Sequence, residues 1–336
     1  MMRLLQGDVG SGKTLVALLT MINAVKTGYQ AAIMVPTDLL SMQHFQFFVQ
    51  ALEGTGITAA LLTGKTKAKE RRLIQVGLQN GEVNILIGTH ALFQTSVEFS
   101  KLGYVIIDEQ HRFGVEQRLE LISKASTPDV LVMTATPIPR SLTLTMFGDM
   151  SVSQVRAKPK NRLPIVTTIT SNSKKDQVVE SLRKKLTQGE KIYWVCPLID
   201  QNDKTIEQEE DSVYADITAR SLELEGLYPG FVAVLHGKMK SADKDAVMQK
   251  FKAGEIKILV ATTVIEVGID VPDATLIIIE NAEKFGLAQL HQLRGRVGRG
   301  VLQSYCMLMY NPKRLSAMGR KRLETMRSSS DGFYIA

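Results

Sequence analysis

Two tandem α/β lobes, each a mostly parallel sheet flanked by helices, are the fold class this sequence predicts. Three observations carry the prediction. Short β-branched runs alternate with longer helical patterns along the chain, as expected when helices cover both faces of a parallel sheet. The length of 336 residues suits about two domains, each able to bury its own core. A polar, basic stretch at residues 156–164, carrying Pro159 and Pro164, interrupts the alternation near mid-chain and reads as the boundary between the halves.

In the first half, strands are expected at residues 3–6, 31–35, 59–63, 85–88, 105–108 and 130–134, with helices at 16–25 and 39–52. Each strand is a short aliphatic run, and each helix repeats apolar residues at three- and four-residue spacing. In the second half, strands are expected at 165–169, 192–196, 231–235, 258–261, 276–279 and 305–309. Helices there are expected at 178–186, 242–251 and 287–293. Residues 200–211 hold six acids and one lysine and are expected to form a solvated loop facing away from any polyanion. The domain layout is then 1–156 for the first lobe, 157–164 for a linker, 165–310 for the second lobe and 311–336 for an extension.

Composition narrows the function classes. Hydrophobic residues make up 44% and charged residues 22%, which excludes global disorder. No apolar run approaches the ~20 residues needed to span a bilayer, so no membrane role is expected. The opening Met1-Met2-Arg3-Leu4 is too short to be a signal peptide. Two cysteines, Cys196 and Cys306, lie in separate apolar runs. That arrangement makes neither a disulfide framework nor a zinc site and reads as reduced core thiols. A cytoplasmic protein fits these features. The net charge is +7, and the last 26 residues contribute +4 of it, from six basic and two acidic residues. This basic tail is either a nucleic-acid surface or a solvated helix face.

The chemistry begins with Gly7-Asp8-Val9-Gly10-Ser11-Gly12-Lys13-Thr14, which lies after an expected strand and before an expected helix, the context of a phosphate-binding loop. Gly7, Gly10 and Gly12 let backbone N–H groups around Ser11 turn toward phosphate oxygens. Lys13 reaches the β- and γ-phosphates, Thr14 is placed to ligate Mg²⁺, and the helix N-terminus favours negative charge. A second apolar strand ends in Asp108-Glu109-Gln110-His111, putting two acids at the carboxyl edge of the sheet. Asp108 is expected to hold Mg²⁺, and Glu109 to orient or deprotonate the attacking water. His111 is expected to bond Thr134 or Thr136 and so report the nucleotide state.

In the second half, Arg296 and Arg299 stand three apart around Gly298. The guanidinium fork suits phosphate oxygens and can act as an arginine finger in phosphoryl transfer. Backbone binding to nucleic acid and a surface salt bridge are the alternatives. Just upstream, Thr262 and Thr263 carry small hydroxyls suited to a nucleic-acid backbone. Gly268 permits close approach to phosphate, and Asp270 is placed to bond a ribose hydroxyl. A split site is expected, with the nucleotide held by one lobe and the arginines supplied by the other.

Together these motifs resemble the superfamily 2 helicases and translocases. The extended strings at residues 7–14, 107–118, 134–140 and 287–300 are similar to the RecG family. They match the transcription-repair coupling translocases less closely, because those carry Asp-Glu-Glu-His where this chain has Gln110. The resemblance covers essentially the whole chain and implies two RecA-like P-loop lobes with a nucleotide cleft between them. It implies ATP and Mg²⁺, a DNA-dependent ATPase yielding ADP and phosphate, and a double-strand DNA translocase. Such a helicase would remodel branched DNA, at stalled forks and Holliday junctions, in recombination and repair. It assigns strand-tracking roles to Pro36, Thr37, Gly64, Lys65, Thr89 and His90, and to His236 and Gly237 in the second lobe. It brings Gln292 to the γ-phosphate. Residues 319–336 resemble the start of the family's translocation motif, a helical hairpin and loop. A monomer, with a contact to single-strand-binding protein, is also implied. The chain departs from the family pattern in having six residues before its phosphate loop. It is therefore expected to be a motor core without the amino-terminal wedge domain, the adenine-recognition segment or the complete translocation motif. The other expectations are a transcription-repair coupling motor and a DNA-binding remnant that does not hydrolyse ATP.

Overall fold

A computed structural model describes residues 1–94, 96–109, 121–122, 124–125, 127–135, 150–156, 163–197, 206–262 and 271–335. The chain divides into two compact units, Met1–Lys158 and Pro159–Ala336.

The first unit runs β1 (Met2–Gly7), α1 (Lys13–Lys26), β2 (Gln30–Met34), α2 (Asp38–Ala51), β3 (Ala59–Leu62), α3 (Ala68–Gln79), β4 (Ile85–Gly88), β5 (Leu102–Asp108), β6 (Asp129–Thr134) and β7 (Ser151–Val155). The strands form one sheet in the order β3-β4-β2-β5-β6-β1-β7, and every pairing is parallel. Successive side chains leave opposite faces of a strand. Ala31, Ile33, Tyr104, Ile106, Leu131 and Met133 accordingly pack on one face against Ala17, Leu18 and Met21 of α1 and Phe48 of α2. Ala32, Met34, Val105, Ile107, Val130 and Val132 pack on the other against Ile74 and Leu78 of α3. Both faces are covered, which is why these strands read as continuous apolar runs.

The second unit runs β8 (Val166–Ser171), α4 (Lys175–Thr187), β9 (Lys191–Val195), α5 (Ile206–Leu227), β10 (Val232–Leu235), α6 (Ser241–Ala253), β11 (Ile258–Ala261), β12 (Ala274–Ile279), α7 (Leu287–Arg294), β13 (Tyr305–Tyr310), α8 (Ala317–Ser328) and α9 (Gly332–Ile335). Its sheet has the order β10-β11-β9-β12-β13-β8, again with parallel pairings throughout. Without the edge strand β7, the first sheet has this same order. Trp194, Ile258, Val260 and Ile278 pack against Val178 and Leu182 of α4 and Ile217 and Leu224 of α5. On the opposite face, the rings of Tyr193 and Phe251 lie 5.1 Å apart.

The structure corrects the sequence-based elements in three places. Residues 206–211 are not a loop: they are the first turns of α5, a helix the sequence reading did not expect at any part of its length. Negative charge is favourable at a helix N-terminus, so the acid run is compatible with starting a helix. The rest of the stretch, 200–205, lies outside the described residues. Helix α3 was not expected, because its buried face is narrow, only Ile74, Gly77 and Leu78. Strand β7, Ser-Val-Ser-Gln-Val, was also missed. It pairs only with β1 at the edge of the sheet, where one apolar face is not required.

Two measurements check this packing. Phe48 is fully buried beside His44, with ring centroids 6.1 Å apart. Phe48→Ala should therefore destabilise the first unit by about 3–5 kcal/mol in chemical denaturation. Cys196 and Cys306 are both buried and free. Burial raises the pKa of both thiols, with Glu280 adding to the rise at Cys196, and pushes Cys306 up to about 12. The thiols stay protonated at pH 8, so Ellman's reagent should label neither in the native protein and both after denaturation.

Candidate functional site

The loop between β1 and α1 is built for an anion. Gly10 and Gly12 have φ of 73° and 94°, a left-handed conformation that glycine adopts without strain. Helix α1 starts with no side-chain cap and no acid in its first turn, which leaves its first N–H groups to an external partner. At Gly7 a Cβ would lie 2.5 Å from Ser11 Oγ, so the loop closes tightly over this position. Ser11 Oγ is buried and makes no hydrogen bond among the described residues. Lys13 Nζ donates to Gly7 O at 2.6 Å and Asp8 O at 3.0 Å, so its ammonium is held over the same cradle. An unsatisfied hydroxyl, a lysine and an uncapped helix fit the phosphates of a nucleotide. Thr14, the next residue of α1, is half-buried.

Asp108 ends β5 and Thr134 ends β6, which lies between β5 and β1. Parallel pairing puts these termini and the phosphate loop on one carboxyl edge. Asp108 is buried, and its Oδ1 accepts the Glu109 N–H at 3.0 Å. Its Oδ2 faces His44 Nε2 at 3.3 Å. Glu109 has φ of 49°, a conformation that costs a non-glycine residue about 1–3 kcal/mol. Its N–H is held by both Asp108 and Met133 O. Thr134 is buried at 1% exposure. His111 and Thr136 lie outside the described residues.

The expected strand-tracking residues of the first unit also come together. Pro36-Thr37 follows β2, Gly64-Lys65 follows β3 and Thr89-His90 follows β4, and these strands are neighbours. Asp38 links the three loops: it accepts Thr89 Oγ1 at 3.3 Å and pairs with Lys65 Nζ at 3.8 Å. Thr37 caps α2 by accepting the Leu40 N–H. A Cβ on Gly64 would sit 3.8 Å from His90 Nε2. Sequence reasoning missed both Asp38 and His44. The available sign for His44 was a histidine within the stripe Leu40, His44, Phe48 of α2.

In the second unit, His236-Gly237 follows β10 and Thr262 follows the adjacent β11. Burial lowers the His236 pKa, and Lys244 and Lys238 lower it further. Lys244 Nζ donates to Gly237 O at 2.6 Å. Thr262 is buried. Thr263, Gly268 and Asp270 lie outside the described residues. Gln292 sits on α7, buried at 7%, and Arg296 follows it, buried at 4%. Arg299 is half-buried, and its Nε donates to Gly295 O at 3.2 Å. Gly298 has φ of 76°, and a Cβ there would sit 2.8 Å from Ile165.

Arg294 turns inward rather than toward any ligand. It donates to Met326 O at 2.8 Å and Ser329 O at 2.7 Å, and its Nη2 lies 3.1 Å from His291 Nδ1. Arg322 Nη2 donates to Glu283 O. The Arg294 bonds fasten α8 and the residue after it to α7, which carries Gln292, and the Arg322 bond ties α8 to the turn at 282–284, while Arg320, Lys321 and Arg327 stay exposed.

The second sheet has no phosphate loop where the first has one. Strand β8 passes into α4 through Asn172-Ser173-Lys174 without a glycine. At the position of Asp108-Glu109 stand Glu280 and Asn281, and Asn281 is the other non-glycine with positive φ among the described residues, at 46°. Glu280 accepts Trp194 Nε1 at 2.6 Å and Arg220 Nε at 2.5 Å. The place equivalent to Asp108 is thus neutralised internally.

Comparison with known proteins agrees with this geometry. The model of the DEAD/DEAH box helicase family matches residues 2–145, and that of the helicase conserved C-terminal domain matches residues 173–301. The chain is 48% identical to the ATP-dependent DNA helicase RecG of Synechocystis sp., over all of this chain and 40% of that protein. Against RecG of Bacillus subtilis it is also 48% identical, over all of this chain and 48% of the relative. The chain thus spans about half the length, or less, of these relatives. A solved structure of RecG bound to a three-way DNA junction superposes with a TM-score of 0.84 at 42% identity, covering 99% of this chain and 43% of that one. The yeast Dbp5 structure bound to RNA and ADP BeF3, at 16% identity and a TM-score of 0.68, shares the fold. The chain thus carries a region that matches the DEAD/DEAH box helicase model followed by one that matches the helicase conserved C-terminal domain, and it is similar over its whole length to RecG.

Proposed function

We propose that this chain is the ATP-hydrolysing motor of a DNA translocase that remodels branched DNA in recombination and repair. The observation that carries this reading is the phosphate cradle of Gly7–Lys13 on the same sheet edge as Asp108 and Glu109. Its support on the DNA side is the similarity to RecG, which has been solved on a three-way junction. Lys13, the N–H groups of Gly10 and Gly12 and the Ser11 hydroxyl hold the β- and γ-phosphates, and Gly7 lets the loop close. Thr14 and Asp108 hold Mg²⁺, which when bound neutralises charge on the phosphate oxygens. Glu109 orients the attacking water, with its backbone held in place by Asp108 and Met133. Arg296 and Arg299 stabilise charge on the transferring phosphate, and Gln292 senses it. Gly268 and Asp270 complete the nucleotide contacts. His111 carries the nucleotide state to Thr134 and Thr136.

Pro36, Thr37, Gly64, Lys65, Thr89 and His90 track one DNA strand through backbone contacts. His236, Gly237, Thr262 and Thr263 do the same in the second unit. The segment 311–336 begins a translocation element, supported by its attachment to α7 through Arg294. On the family likeness we add action as a monomer, a contact with single-strand-binding protein and a cytoplasmic location. No described helix is long and apolar enough to cross a membrane.

Steady-state ATP hydrolysis by this chain should rise when branched or duplex DNA is added. Lys13→Ala should lower that turnover at least about a hundredfold, because a positioned cation on the phosphates is lost. DNA binding without any stimulation of turnover would favour a binding remnant instead. Arg299→Ala should lower kcat about 10³-fold with little change in ATP binding, since a finger acts in the transition state. Equal losses in both would make Arg299 a ground-state ligand.

A further inference from the structure

The side chain of His44 contacts the carboxylate proposed to hold the metal, and no motif covers it. It lies on α2, 6% exposed, with Nε2 at 3.3 Å from Asp108 Oδ2. Both side chains are largely shielded, at 7% and 11% exposure. A carboxylate only accepts hydrogen bonds, so Nε2 is the donor. The other oxygen, Oδ1, accepts the Glu109 N–H. Among the described residues each oxygen of Asp108 therefore has one partner that fixes its direction, and lone pairs remain on both for a metal or its water. The imidazole is itself held: its ring lies 6.1 Å from that of the fully buried Phe48, tilted by 40°. Helix α2 is in turn anchored by the Thr37 cap and by Asp38.

We propose that His44 is a positioning residue for the Mg²⁺ carboxylate: its Nε2–H orients Asp108 Oδ2 toward the metal. This rests on the reading of Asp108 as a Mg²⁺ ligand. Partners of a ligating carboxylate orient it and tune its affinity, and their loss commonly costs 10–100-fold in metal affinity or activity. A buried carboxylate that loses one of two donors also becomes free to rotate away from the metal or to pull water into the site. The sequence separation between the two residues is 64, so only the parallel alignment of β2 with β5 brings them together.

The test is a series at His44 in this chain, read as the Mg²⁺ dependence of binding of a fluorescent non-hydrolysable ATP analogue. Fluorescence anisotropy reports binding, with the same titration repeated in EDTA. His44→Ala and His44→Asn should raise the Mg²⁺ concentration for half-maximal binding about 10–100-fold, because neither side chain reaches Oδ2 with a donor. His44→Gln, whose amide falls near the Nε2 position, should stay within about threefold of the native protein. Affinity in EDTA should be the same for all. A merely structural role would lower binding in EDTA as well, and that result would overturn the proposal. So would a His44→Gln shift as large as that of His44→Ala, or an unshifted His44→Asn. If His44→Ala does not fold, the Asn and Gln pair decides, since both keep polar bulk beside Phe48. Asp108→Asn separates the two readings. If it leaves the Mg²⁺ dependence unchanged, the metal assignment itself fails. If it shifts that dependence while the His44 series does not, only the role of His44 fails.

Discussion

Parallel pairing of β1 with β6, β6 with β5 and β5 with β2 is the constraint on which the first unit depends. Parallel strands all end at the same edge, and each must return through a crossover. Every loop that follows a strand is therefore delivered to one side of the sheet. Gly7, Met34, Leu62, Gly88, Asp108 and Thr134 all end strands there. The phosphate cradle, the acidic pair and the candidate DNA loops need no other device to share an edge. The covered faces supply the driving force, because the alternating apolar side chains of these strands pack between α1 and α2 on one side and α3 on the other.

The second unit shows what this strand order does without a glycine loop. Its sheet repeats the arrangement, including a left-handed non-glycine residue after the central strand β12. Yet at the position of Asp108 stands Glu280, which accepts hydrogen bonds from Arg220 and Trp194. A buried carboxylate needs partners, since an unpaired charge is costly in a low-dielectric interior. Here the protein supplies those partners itself. In the first unit Asp108 has an uncharged donor, the backbone of Glu109, on one side and an imidazole on the other. The same topology thus leaves its central carboxylate to neutral donors in one unit and pairs it with an arginine in the other, and the difference lies in a handful of side chains.

The basic tail shows a similar division. Its charge at first sight suits a nucleic-acid surface, but its arginines do different work. Arg322 is drawn onto a backbone carbonyl, and Arg294 of α7 caps the tail's own carbonyls. Arg320, Lys321 and Arg327 remain at the surface. A guanidinium can satisfy several acceptors at once, so a buried arginine is a natural clasp between two helices. The consequence is that α8 and the segment carrying Gln292 and Arg296 are joined by direct hydrogen bonds.

Much of the fold was legible because its determinants are local. Strands 85–88 and 258–261 match β4 and β11 residue for residue, since a short aliphatic run buried on both faces looks the same in sequence and in space. The phosphate loop was legible because spacing, glycines and the strand-to-helix context all lie within a dozen residues. Helix α3, edge strand β7 and the acid-rich start of α5 were not, because their apolar faces are narrow or absent. His44 and Asp38 were illegible for a different reason. A histidine on an amphipathic helix and an acid after a threonine are unremarked side chains until a partner arrives from 64 or 51 residues away. The chain by itself therefore determined which groups are the candidates for the chemistry and which runs build the sheets, both matters of residue type at short range. Only the tertiary structure decided which groups hold them in place, because that depends on strand order and on the parallel register that brings distant side chains to one edge.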